Sequence, residues 1–163
     1  MTMTRTFITA TLTVLLIAFC ASAVAEEKVK TASFTVKVVY AKKADKKDIP
    51  PSLKDFEEAL EDAASEYDVN AFTEYKSFVL AAKIGDSSEE KLGVLEYKIK
   101  IEPTEYKDEK LSTKLSLIKI ETKKNKVLLK TKVSFKEEKI LVFDIGKHSG
   151  GQLFVATRLD SVK

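Results

Sequence analysis

From Phe72 to the end of the chain, apolar side chains recur at every second position, interrupted only by short polar turns. That spacing puts apolar groups on one face of an extended strand and polar groups on the other, so this stretch has to build a sheet with a buried face. Leu95, Tyr97, Ile99 and Ile101 alternate with Glu96, Lys98 and Lys100 until Pro103 closes the strand. Val127, Leu129, Thr131, Val133 and Phe135 alternate with Lys130 and Lys132. Leu111 to Ile120 follows the same rule with Lys114 outward, and its phase slips at Leu117-Ile118 as a β-bulge requires. Three more strands are expected: Phe72 to Lys83, Ile140 to Ile145, and Leu153 to Leu159. The near-continuous apolar run at Ile140 suits a central strand. Turn chemistry separates them at Gly85-Asp86-Ser87-Ser88, Lys123-Lys124-Asn125 and Glu137-Glu138, and Gly146 to Gly151 reads as a loop.

Ahead of this region, Phe34, Val36, Val38 and Tyr40 mark one strand, followed by a charged loop from Ala41 to Asp48. The period then changes. Leu53, Phe56, Leu60, Ala63, Ala64 and Tyr67 fall three and four apart, which predicts an amphipathic helix over 53–66. Ser52 suits its N-cap with Asp55 three residues on, and Asn70 suits its end. Its solvent face carries Asp55, Glu57, Glu58, Glu61, Asp62 and Glu66. The order is therefore strand, helix, then six strands whose short links favour an antiparallel meander. One helix cannot cover both faces of so wide a sheet, so the sheet must bend or fold over itself. The expected class is α+β: a bent antiparallel sheet or small sandwich with one packed helix.

Residues 1–25 have a different character. Arg5 is their only charge, Phe7 to Phe19 is apolar or threonine, and Ala23-Val24-Ala25 places small residues at both positions a signal peptidase reads. This predicts a cleaved signal peptide with Ala23 and Ala25 at the cut, and a mature domain of residues 26–163. The apolar run is too short for a membrane anchor, and no later run reaches the length of a span. Cys20 follows Phe19, whereas a lipobox wants a small residue there, so lipidation is not expected. Cleavage also removes Cys20, the one cysteine of the 163 residues, which leaves no disulfide and no thiolate metal site. The expected location is periplasmic or secreted. No internal repeat or second domain is evident.

The residues able to carry chemistry are few. His148, the single histidine, stands in Gly146-Lys147-His148-Ser149-Gly150-Gly151. Histidine suits acid–base work, but no G-x-S-x-G elbow accompanies it, and the residues read as a polar hairpin tip. The glycines precede a strand rather than a helix, which argues against a phosphate loop. The helix acids lack the alternation and glycine of a calcium loop. No catalytic, cofactor or metal site is therefore expected, and the chain reads as non-enzymatic.

Charge points elsewhere. The 28 Lys+Arg and 25 Asp+Glu nearly balance, but their distribution does not. Lys98, Lys100, Lys130 and Lys132, with Lys37 and Lys114, all alternate outward from strands. If those strands align, they make a basic surface opposite the acidic helix, able to attract an acidic protein, an anionic lipid or lipopolysaccharide. Nucleic acid is disfavoured, because the alternation sends most aromatics inward, away from the lysines.

Phe72-Thr73-x-Tyr75-Lys76 after an amphipathic helix, together with Gly150-Gly151-x-Leu153-x-Val155-Ala156 near the end, resembles a group of short exported proteins of Gram-negative bacteria. The resemblance implies an envelope location, a strand and helix ahead of an all-β remainder, and no reaction. That group often has Gly-Gly before the loop as well, where this chain has Gly146 alone. The element order also resembles cystatin-like folds, without the Gln-x-Val-x-Gly hairpin by which those inhibitors act. The leading expectation is an exported protein that binds an envelope protein partner, an edge strand offering one route. The alternative is a carrier or sensor of a small ligand or lipid held between helix and sheet.

Overall fold

A computed structural model describes residues 29–122 and 124–163. Among them are eight strands: β1 (Thr31–Lys42), β2 (Ala71–Lys83), β3 (Ser88–Lys91), β4 (Tyr97–Lys107), β5 (Lys110–Lys119), β6 (Lys126–Phe135), β7 (Ile140–His148) and β8 (Gly151–Val162). A 3-10 turn (Pro51–Phe56) runs into helix α1 (Glu57–Ala64) between β1 and β2. The class is α+β. The strands form two four-stranded antiparallel sheets, ordered β2-β1-β8-β7 and β3-β4-β5-β6. The expected six-strand meander after the helix is not one unit: among the described residues seven strands follow the helix, only β3 to β6 run as a meander, and β2, β7 and β8 join β1 instead, β7 and β8 as a hairpin beside it. Residues 1–25, expected from the sequence to be a signal peptide and including Cys20, Ala23 and Ala25, lie outside the described residues.

Three layers result. One core fills the space between the sheets, with Phe34, Val36 and Val38 of β1 and Val155 of β8 meeting Ile99, Ile101, Leu115 and Phe135 of the second sheet. The other lies on the far side of the first sheet, where Leu53, Phe56, Leu60 and Ala64 cover Val39, Ala41, Phe72, Phe154 and Ala156. Strand β8 therefore serves both cores, Leu153 and Val155 facing one and Phe154 and Ala156 the other. This explains its unbroken apolar run from Leu153 to Ala156.

Several expectations change in detail. The helical segment begins at Pro51, with Pro50 at the cap position and no side-chain cap. A proline at the first position lacks only an N–H that the helix would not use, so it starts the turn and draws Ser52 inside it. Asn70 does not cap the helix; its side chain accepts from the Ala44 amide and donates to the Ala44 carbonyl, both at 2.8 Å, fastening the loop after β1. Pro103 does not end its strand. Pairing with β5 continues to Lys107 through a register shift between Pro103 and Glu105. On the other side β3 reaches only as far as Ile101, so no ladder bond needs a proline N–H. Strand β7 lies at an edge and not at a centre. Its apolar run reflects cover on both faces, Ile140 and Val142 toward the helix layer and Leu141 and Phe143 toward the sandwich core. Gly146 to Gly151 is not an open loop: β7 runs through to His148, and Ser149-Gly150 alone make the turn, with φ of 47° and 82°. Both left-handed values match the hairpin turn whose twist suits the flanking strands.

The hydroxyls of Thr113 and Thr157 are buried without a hydrogen-bond partner. A buried unpaired hydroxyl carries a desolvation cost that a methyl of the same shape does not. Thr157→Val is expected to raise the free energy of unfolding by about 1 kcal/mol in urea denaturation. A fall instead would mean that this hydroxyl is hydrogen-bonded in solution.

Candidate partner-binding face

The outer face of the second sheet collects the lysines into rows. Lys100 of β4 faces Ser116 of β5, and Ser116 faces Lys130 of β6. In the next row Glu102 faces Lys114, and Lys114 faces Lys132. Lys98 stands one row further along, beside Lys91 of β3 and Ile118 of β5. All of them point away from the core because their neighbours in sequence, Ile99, Ile101, Leu115 and Val133, point into it. Neighbouring strands lie ~5 Å apart and alternate residues of one strand ~7 Å, so Lys100, Lys114, Lys130 and Lys132 share a patch about 10 Å across. That is comparable with the Debye length, about 10 Å at 0.1 M salt and ~8 Å at physiological salt, so the fields of neighbouring lysines overlap.

Three acids share this face, Glu105 of β4 standing opposite Ser112 of β5 at the far end of the lysine rows. Glu89 accepts from Lys98 at 2.7 Å, and Glu102 from Lys114 at 2.7 Å. Among the described residues, Lys100, Lys130 and Lys132 have no such partner, and Lys130 and Lys132 are exposed. The excess positive charge therefore lies toward β6. Lys37 does not belong to the patch. It projects from β1 in the other sheet, donates to Glu74 at 2.6 Å and lies over the Phe56 ring. The sequence shows that Lys37 points outward but not which sheet it leaves.

Glu102 reports the local field. The hydrogen bond from Lys114 holds its carboxyl below the usual carboxylate range; desolvation opposes this, while the charges of Lys114, Lys100 and Lys130 add to it. Its folded pKa thus lies below the unfolded one, so the contact stabilises above the unfolded value and is lost as pH falls through the folded value. We expect Lys114→Met to raise the Glu102 pKa toward its ordinary range in a carboxyl NMR titration, with Lys130→Met giving a smaller rise. An unmoved Glu102 in both variants would show that the lysines do not act on it together.

The helix acids lie across the molecule, on the outer face of the first sheet. Lys47 pairs with Glu57 and Glu61, Lys54 with Glu57, and Arg158 with Asp55. No such ion pair holds Glu58, Asp62 or Glu66 among the described residues. The chain therefore presents one basic and one acidic face on opposite layers.

His148 sits at the end of β7, edge-on to the stacked rings of Tyr40 and Tyr75, with centroids 6.4 Å from each. The adjacent Ser149 contributes its carbonyl to this cluster, accepting from the Tyr40 hydroxyl at 2.9 Å. Sequence reading missed the two tyrosines, which come together only through strand pairing. Nearby, Asp144 accepts from Tyr67, Gln152 and the Gly146 amide. The bond to Asp144 favours the protonated phenol and pushes the Tyr67 pKa up. A groove of about 570 Å³ runs past these residues, from Glu66 and Tyr67 to His148 and Gln152. Between helix and sheet, Leu53, Phe56, Leu60, Ala64, Phe72 and Phe154 pack with at most 4% exposure each. No described residues bring together three metal-ligating side chains, and no described helix is long and apolar enough to cross a membrane. No known family, curated protein or solved structure matches this chain, so the basic face has to be understood from its own geometry.

Proposed function

We propose that this is an exported, non-enzymatic protein of the bacterial envelope that works by binding an acidic protein partner on the lysine face of β4, β5 and β6. The observation that carries the proposal is the cross-strand alignment of Lys100, Lys114, Lys130 and Lys132, with positive charge left unneutralised toward β6. The leader-like residues 1–25 support the envelope location. Interspersed lysines also keep a sheet soluble, but a face serving only that end has no need to leave lysines in excess on one layer and acids in excess on another.

The reading predicts that Lys130→Glu with Lys132→Glu weakens binding to a glutamate-rich peptide by at least about tenfold in fluorescence anisotropy. Reversing Glu58 and Asp62 on the helix leaves it within about twofold. Binding by the wild type should also weaken as salt rises. Equal losses from the two pairs of substitutions would indicate that net charge alone governs binding, and would remove the lysine face as the site.

A further inference from the structure

The two sides of the sandwich are closed differently. Along one, β2 is tied to β3: Lys76 donates to the Lys91 carbonyl at 2.6 Å and to Glu90 at 2.8 Å, and Leu80 and Leu92 are buried beneath. Along the other, β6 ends one sheet and β7 the other. Among the described residues no side-chain hydrogen bond or ion pair joins β6 to β7. Leu129 and Val133 of β6, and Leu141 and Phe143 of β7, pack on the inter-sheet core while remaining only half-buried. Val127 and Leu128 at the start of β6 are 54% and 41% exposed, but Val127 lies on the lysine face opposite Ile118 and Leu128 at the bulge, so the seam itself is formed by Leu129, Val133, Leu141 and Phe143. This side is an open seam: a sheet edge with unpaired backbone groups beside a partly uncovered core.

We infer that the β6 edge accepts an extended segment of the acidic partner as an additional strand, whose side chains alternate between acidic and apolar. The inference rests on the partner-binding reading above and specifies its mode. From Leu129 to Phe135, β6 pairs regularly with β5 and points Lys130, Lys132 and Ser134 outward. A strand added to its free edge would place every second side chain beside those lysines and the others over Leu129, Val133, Leu141 and Phe143. Acidic residues suit the first set, neutralising lysines that have no acid of their own, and apolar residues suit the second, closing the seam. Glu137 and Glu138 lie in the turn beyond the end of β6. A second copy pairing through its own β6 would bring lysines against lysines, which disfavours that occupant.

The test uses a short peptide alternating glutamate with valine, and the same peptide N-methylated at alternate residues so that one edge cannot form main-chain hydrogen bonds. We expect the first to bind, to slow amide hydrogen exchange in β6 but not in β2, and to lose at least about tenfold in affinity on N-methylation. If both peptides bind equally and both depend on Lys130 and Lys132, strand addition is overturned while the acidic-partner reading stands. If neither binds, and a disordered polyglutamate also fails, the acidic-partner reading falls too. Binding to phosphatidylglycerol vesicles without binding to any peptide would replace both with a membrane surface. Concentration-dependent self-association abolished by reversing Glu58 and Asp62 would identify the occupant as the helix of a second copy, and would overturn the inference.

Discussion

Replacing Gly151 with alanine is expected to destabilise the protein by about 3 kcal/mol, as forced overpacking does at the upper end of its usual range. Gly151 opens β8 and pairs with His148 across the turn. A Cβ there would lie 2.3 Å from the Ala41 carbonyl oxygen and 2.6 Å from Cε2 of Tyr40. Neither neighbour can yield easily. The Ala41 oxygen belongs to the β1 backbone, whose pairing with Gln152 would have to open. The Tyr40 ring is held by its bond to the Ser149 carbonyl and by stacking on Tyr75 with centroids 5.7 Å apart. Gly146 supplies the control, since its φ is 114° but nothing lies within 4 Å of an added Cβ. Gly146→Ala should therefore cost only the strain of its backbone, roughly 1–2 kcal/mol. Equal losses for the two variants in urea denaturation would mean that the close approach of β1 to Gly151 does not exist in solution.

The second large effect belongs to the inter-sheet core. Phe34 on β1 and Phe135 on β6 are both fully buried, and their rings meet edge to face with centroids 5.4 Å apart. They come from different sheets, so this contact exists only if the sheets face one another. Phe34→Ala should cost about 4 kcal/mol through lost burial and the cavity left behind. Phe135→Ala should cost a similar amount, and the double variant should lose about 1 kcal/mol less than the two single losses together, the size of a direct aromatic contact. Strict additivity would contradict the face-to-face arrangement.

The sequence discloses local features better than partners. The slip of phase at Leu117-Ile118 correctly announces a bulge, because a change of period is written in consecutive residues. The helical segment is legible from its spacing, but its first turns, Pro51–Phe56, are 3-10 and the α-helix itself is confined to Glu57–Ala64 rather than 53–66. By contrast, β3 reads Ser88-Glu89-Glu90-Lys91, with no apolar alternation, and is a strand only because β4 offers it an edge. The run at Ile140 announces cover on two faces, which a central strand has and an edge strand between two cores also has. The lysine face follows the same pattern. Alternation tells that Lys98, Lys100, Lys114, Lys130 and Lys132 point outward, but their alignment needs the order β3-β4-β5-β6, and the exclusion of Lys37 needs the second sheet. The seam between β6 and β7 is hidden for the same reason, since it arises where two sheets end and not within any strand.

The most direct test of the lysine face is a map of backbone amide chemical shifts during titration with a glutamate-rich peptide. The account predicts saturable shifts concentrated in β4, β5 and β6, largest around Lys100, Lys114, Lys130 and Lys132, with α1 and the Tyr40–Tyr75–His148 cluster unmoved. Shifts centred on α1 or on that cluster, or none at peptide concentrations in the millimolar range, would contradict it.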